Sequence, residues 1–138
     1  MMIEEHQALA GKRAQLVELR LDYLSRSPEL SRLLKDRPTP CVITCRRQED
    51  RGRWRGPEEQ RLALLRAATA AGGEYVELED DVAARIPRYG NTTRIISHHN
   101  FERTPQDLGE IYERISGLDA DIIKIATMAN SPGDCVRM

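Results

Sequence analysis

Lys124 is the residue whose type and setting point most directly to chemistry. It stands in Ile122-Ile-Lys-Ile-Ala126, a run of aliphatic side chains typical of a buried strand. A charge among such neighbours is costly unless it is paired or neutralised. Of the 21 basic residues only Lys12, Lys35 and Lys124 are lysines; the others are arginines. A guanidinium cannot do amine chemistry, and desolvation favours the neutral amine that attacks a ketone to form an imine. The expectation is therefore a nucleophilic lysine, set against the plainer one of a lysine snorkelling from a strand end.

A second candidate group is His98-His99, which follows the apolar run Arg94-Ile-Ile-Ser97 and precedes Asn100-Phe101. Successive strand residues face opposite ways, so only one of the two imidazoles points inward while strand geometry lasts. A histidine suits a group that takes a proton and later returns it. Glu18 and Arg20 share a strand face by the period of two; they can pair with each other or recognise hydroxyl and carboxylate groups on a small polar anion. Arg46 reads the same way, whereas Arg47, Arg51, Arg53 and Arg55 read as solvated loop charges. Glu49 and Asp50 follow on that loop, and Glu79 ends a later strand.

These residues must be positioned by strands and helices that alternate along the chain. Residues 3 to 14 read as a helix, and Val17 to Leu21 alternates as a strand with two unlike faces. Ser27-Pro28 opens a helix with Leu30, Leu33 and Leu34 on one side, closed by Pro38 and Pro40. Cys41-Val-Ile-Thr-Cys45 is a buried strand, followed by a charged loop from Arg46 to Gly56 and a helix from Pro57 to Gly72-Gly73. Glu74 to Leu78 is the third strand, Val82 to Ile86 a short helical piece, and Thr93 to Ser97 the fourth strand. A helix over Pro105 to Ile115 and a fifth strand over Asp121 to Ala126 complete the pattern. Strand then helix, repeated, is the mark of a parallel sheet with crossover helices; a doubly wound sheet and a (β/α) barrel both fit.

Composition removes several classes of function. The 21 basic and 22 acidic residues leave a net charge of -1, so there is no basic excess to neutralise a phosphate backbone, and no nucleic-acid partner is expected. Apolar runs fall far short of the roughly 20 residues of a membrane helix, and the N-terminus lacks the pattern of a secretory signal; no membrane partner and a cytoplasmic location are expected. Cys41, Cys45 and Cys135 have no His or Cys pair at ligand spacing and read as reduced packing residues, with no metal site.

Taken together, Val17-Glu-Leu-Arg-Leu-Asp22, Thr44-Cys-Arg46, Ser97-His-His-Asn-Phe101 with Thr104-Pro105, and Ile123-Lys-Ile-Ala-Thr-Met128 resemble the successive motifs of the type I 3-dehydroquinate dehydratases. The resemblance runs from about residue 14 to the end of the sequence; its specific parts are the histidine followed by N/D-F-x-x-T-P and the K-I-A-x-M strand. It implies a (β/α)8 TIM-type barrel and a hydro-lyase that converts 3-dehydroquinate to 3-dehydroshikimate and water, in the shikimate pathway of aromatic amino-acid biosynthesis. It implies no cofactor. Lys124 would form the Schiff base, and His99 would abstract the adjacent proton and later protonate the departing hydroxyl, with His98 structural. Asp50 or Glu49 would supply the acid that orients the histidine, where the family more often shows glutamate and two glycines. Glu18, Arg20 and Arg46 would hold 3-dehydroquinate by its hydroxyls and carboxylate, and Glu79 would support the lysine or serve as a solvated helix-start acid.

The reading is of one incomplete barrel domain over residues 1–138, an α/β chain of about five parallel strands with crossover helices. Family members carry a strand before the E-x-R strand and two more after the lysine, and five strands cannot close an eight-stranded barrel. A partial reading of a longer gene, a fragment needing a complement, or a homodimer that buries the strand edges would each resolve this. Some relatives continue into a shikimate dehydrogenase domain; whether the full gene product is such a fusion is left open by the sequence. Two other functions fit: a different Schiff-base lyase such as a class I aldolase, against which the His99 motif argues, and a catalytically silent fragment acting only as an interaction module.

Overall fold

The structure, a computed structural model, describes residues 1–26 and 28–138; the helix-opening role read for Ser27 lies outside them. Its elements alternate as β-branched runs and amphipathic stretches demand. Helix α1 (Met2–Gly11) precedes β1 (Val17–Arg20), α2 (Leu30–Leu34), β2 (Cys41–Thr44) and α3 (Glu58–Ala70). Then come β3 (Tyr75–Glu79), β4 (Thr93–Asn100), α4 (Leu108–Ser116), β5 (Ile122–Thr127) and α5 (Pro132–Arg137). The five strands form one sheet in chain order, and the β1–β2, β2–β3 and β4–β5 ladders are parallel. The chain divides into two compact units, Met1–Glu77 with Arg88–Thr93, and Leu78–Pro87 with Arg94–Met138.

In the first unit, β2 is buried along its whole length, and α3 packs against it through Leu62, Leu65 and Ala68, none of which is exposed. Their three-residue spacing puts them on one helix face. Burying each leucine side chain stabilises the unit by about 1.5–3 kcal/mol. Two glutamates, Glu58 and Glu59, lie in the first turn of α3, where the helix dipole favours negative charge. Gly73 follows α3 because a Cβ there would collide with Ile43 Cδ1 of β2. Helix α1 is tied down by His6, whose Nε2 lies 2.7 Å from Thr39 Oγ1. Glu74 joins the start of β2 to Arg37: its carboxylate pairs with the Arg37 guanidinium and accepts the Cys41 N–H at 3.0 Å.

In the second unit, α4 covers β5 with Ile111 and Ile115, one turn apart. Arg94, buried at the start of β4, donates to the carbonyls of Ala83, Ile86, Leu118 and Asp119 and lies 3.7 Å from the Asp119 carboxylate, so protein groups compensate its charge. Helix α5 opens on a reciprocal capping box between Ser131 and Asp134.

Several expectations are corrected. Helix α1 ends at Gly11 rather than at residue 14, and α2 stops at Leu34, before either proline, with Asp36 in the left-handed region. Strand β4 runs on to Asn100, so both histidines lie within the strand instead of beyond it. Strand β5 is half-exposed along most of its length rather than buried, with α4 packed against it. Cys41 and Cys45 are buried, as packing residues should be, whereas Cys135 is exposed on α5.

Candidate active site

In the first unit the parallel register pairs Glu18 with Val42 and Arg20 with Thr44, which places Glu18, Arg20 and Thr44 on one face. Glu18 is exposed there. Arg20 does not pair with it. Its Nε and Nη2 donate to the two oxygens of Asp22 at 2.8 and 2.7 Å, a bidentate fork, because a tight turn at Leu21–Tyr23 curls the Asp22 carboxylate back to the strand end. Burial acts to raise the Asp22 pKa, but the Arg20 fork and backbone N–H groups of Arg53 and Arg46 outweigh it and hold the carboxyl below the usual range. Thr44 Oγ1 is buried and has no hydrogen-bond partner among the described residues.

Arg46, just beyond β2, donates through Nη2 to Glu77 Oε1 at 2.7 Å. Glu77 lies on β3, two residues beyond Tyr75, the register partner of Val42, and so shares the face of Thr44. The loop after Arg46 folds back on it: Trp54 N–H donates to the Arg46 carbonyl at 3.2 Å, and Gly52 sits so close that a Cβ there would clash with that carbonyl. Only glycine allows this approach. From α3, fully buried Arg61 donates to the Cys45 carbonyl at 2.6 Å and forks onto Glu58. Asp50 is half-buried and accepts from Arg47 Nε at 2.6 Å, while Glu49 is exposed. Arg47, read as a solvated loop charge, is thus half-buried in an ion pair formed by one short helical turn over Gln48–Asp50.

In the second unit the register pairs Ser97 with Lys124 and His99 with Ala126. Ser97, His99, Lys124 and Ala126 therefore share one face, and His98 and Ile125 the other. Lys124 and His99 are both half-buried. Their Cα atoms are separated by one strand spacing and two residues of rise, about 8 Å. His98 Nδ1 lies 2.9 Å from Asp80 Oδ2, and Arg114 of α4 contacts the same oxygen at 2.7 Å. Burial acts to raise the Asp80 pKa, but the hydrogen bonds from Arg114 and His98 prevail and lower it. The Phe101 ring stacks on His99, with centroids 5.6 Å apart. The remainder of that motif is structural: Asn100 Oδ1 accepts from the Glu102 and Arg103 N–H groups, and Thr104 Oγ1 contacts Thr127 Oγ1 and Met128 O, each at 3.0 Å, at the end of β5. Glu79 is buried, not a solvated helix-start acid.

Sequence reasoning puts Asp22 and Glu77 among the charged groups at strand ends but not their pairing with Arg20 and Arg46, and it missed Asp80 and the buried Arg61. The pairings of Asp22 and Asp80 had no signal, because each acts from a turn whose geometry no period describes. Cys41 is no nucleophile, since burial, followed by the Glu74 charge, pushes its thiol up to about 11. Among the described residues no cluster of three or more His, Cys, Asp or Glu side chains can hold a metal ion, and no helix is long and apolar enough to cross a membrane.

The family model of type I 3-dehydroquinase matches residues 1–138. A 3-dehydroquinate dehydratase of Desulfotalea psychrophila is 37% identical, over 91% of this chain and 59% of that protein. The chloroplastic bifunctional 3-dehydroquinate dehydratase/shikimate dehydrogenase of Arabidopsis thaliana is 35% identical over 91% of this chain and 23% of its own length. The crystal structure of the 3-dehydroquinate dehydratase from Aquifex aeolicus superposes with a TM-score of 0.78 at 26% identity, covering 98% of this chain and 66% of that one. The chain thus spans about three fifths of the single-function relative and a smaller share of the fused one. Its five parallel strands with their helices are a part of the (β/α) barrel seen in those structures. By sequence and by fold, the chain belongs to the type I 3-dehydroquinase family.

Proposed function

We propose that this chain carries the imine-forming and proton-transferring residues of a 3-dehydroquinate dehydratase. The observation that carries the reading is the common face of Lys124 and His99 on the β4–β5 ladder, with the small Ser97 directly opposite the lysine. The Lys124 amine adds to the C3 ketone of 3-dehydroquinate and water leaves, giving an iminium. That cation takes up the electron pair released when His99 removes the C2 proton. The C1 hydroxyl then departs with the proton that His99 returns, and water cleaves the imine to release 3-dehydroshikimate and the free lysine. His98, held by Asp80 on the opposite face, takes no part in the proton transfer.

Glu18, Arg20 and Arg46 bind the hydroxyls and carboxylate of the substrate; arginine offers a planar fork of donors for the latter. Asp50, half-buried, or Glu49, exposed, supplies the acid that orients the histidine. Buried Glu79 supports the lysine. The reaction belongs to aromatic amino-acid biosynthesis and takes place in the cytoplasm.

The test is borohydride reduction of the chain in the presence of 3-dehydroquinate, followed by peptide mass spectrometry. A reduced adduct on Lys124, absent in Lys124→Ala, is expected. Folded chain that yields no adduct on Lys124, or an adduct with an aldol substrate in its place, overturns the reading.

A further inference from the structure

We propose that Asp22 is a positioning residue for substrate binding: its carboxylate fixes the orientation of the Arg20 guanidinium and pins the loop that carries Arg46. This inference rests on the assignment of Arg20 and Arg46 to substrate binding given above.

The Asp22 side chain is fully buried, yet it bears a charge and must be compensated. Among the described residues its compensation comes from the end of β1 and from the segment that begins with Arg46. Arg20 supplies two hydrogen bonds and Arg53 N–H donates at 2.9 Å, while the backbone N–H of Arg46 also favours the charged carboxylate. One carboxylate thereby joins the end of β1, the residue just beyond β2 and the returning arm of the charged loop. The packing around it agrees: the Tyr23 ring lies 4.8 Å from the Arg20 Cζ and 4.2 Å from the Arg53 Cζ, so it spaces the two guanidinium groups while favouring both. Arg53 is therefore part of this assembly rather than a loose loop charge.

The consequence concerns Glu18. Arg20 and Glu18 share a strand face and attract one another. A guanidinium free to swing would turn to Glu18 and cancel the charge of both. The fork on Asp22 occupies Nε and Nη2 of Arg20, which keeps Glu18 exposed and leaves Nη1 as the free edge of the fork. Asp22 thus separates an acceptor and a donor that would otherwise quench each other, and it does so without touching substrate.

A double-mutant cycle read by calorimetric titration with 3-dehydroquinate tests this. Asp22→Asn is expected to weaken binding about tenfold or more, the range for a lost charge-assisted hydrogen bond. In an Arg20→Ala background the same substitution should weaken binding by a smaller factor, because Asp22 acts largely through Arg20. A purely structural aspartate would instead give equal factors in both backgrounds. Equal factors, or unchanged binding in Asp22→Asn, overturn the proposal. If circular dichroism shows Asp22→Asn unfolded, Asp22→Glu keeps the charge on a longer stem and completes the cycle under the same criteria. Borohydride trapping on Lys124 of the unaltered chain reports separately on the underlying function. An adduct there together with equal factors removes only the role of Asp22, and a chain that neither binds nor traps removes both.

Discussion

Strands β2 and β5 are alike on paper and unlike in the molecule. Cys41-Val-Ile-Thr44 and Ile122-Ile-Lys-Ile-Ala-Thr127 are both β-branched runs of the kind that fills a barrel, yet every residue of β2 is buried while those of β5 are half-exposed or exposed. The difference is one of neighbours. Strand β2 lies between β1 and β3 under α3, and β5 pairs with β4 under α4. An apolar run states what a strand can bury; the elements on either side decide what it does bury. The same contrast holds for charge. Arg20 and Arg46 of the first unit each lie against a named carboxylate, so these proposed recognition groups are held in place before any ligand arrives. The proposed reacting pair of the second unit is half-buried and shares one face of the β4–β5 ladder.

The contrast can be broken at its functional end first. Lys124→Ala should abolish imine trapping altogether, whereas His99→Ala should leave trapping intact and slow dehydration about 10²–10⁴-fold, the usual worth of a general acid-base group. Borohydride trapping and steady-state rates, measured side by side, separate the two roles; equal loss of trapping in both variants would contradict them. The packing end gives a smaller effect. Ile43→Ala in β2 should cost about 2–5 kcal/mol by denaturant unfolding, and Ile122→Ala, at a position 43% exposed in β5, markedly less. Equal costs would mean that β5 is as enclosed as β2.

The smallest effect concerns acid. The Asp22 carboxyl titrates below its unfolded value, so its contribution to stability is present above about pH 4 and lost as pH falls toward the lower folded value. Asp22→Asn should therefore show a shallower loss of stability between about pH 5 and pH 2 than the unaltered chain. A parallel acid limb in the two proteins would show that the carboxylate is not held as described.

Much of this was legible in the residues. The alternation of strands and helices, the shared face of Glu18 and Arg20, and the rule that only one of His98 and His99 can face a given side follow from periods of two and 3.6. Which histidine shares the face of Lys124 did not follow, since that depends on register between β4 and β5. Nor did the partner of Arg20. Glu18 was the candidate on the strand, but the turn at Leu21–Tyr23 delivers the Asp22 carboxylate to Arg20 as a bidentate partner, which outcompetes it.

What the sequence determined by itself was the set of elements, the motifs and the family, because periodicity and local chemistry are properties of neighbours along the chain. The tertiary structure alone decided the pairings: Asp22 with Arg20, Glu77 with Arg46, Asp80 with His98, and Ser97 opposite Lys124. Those depend on strand register and on turns that bring distant or reversed segments together, and no period in the sequence encodes the distance between two strands' side chains.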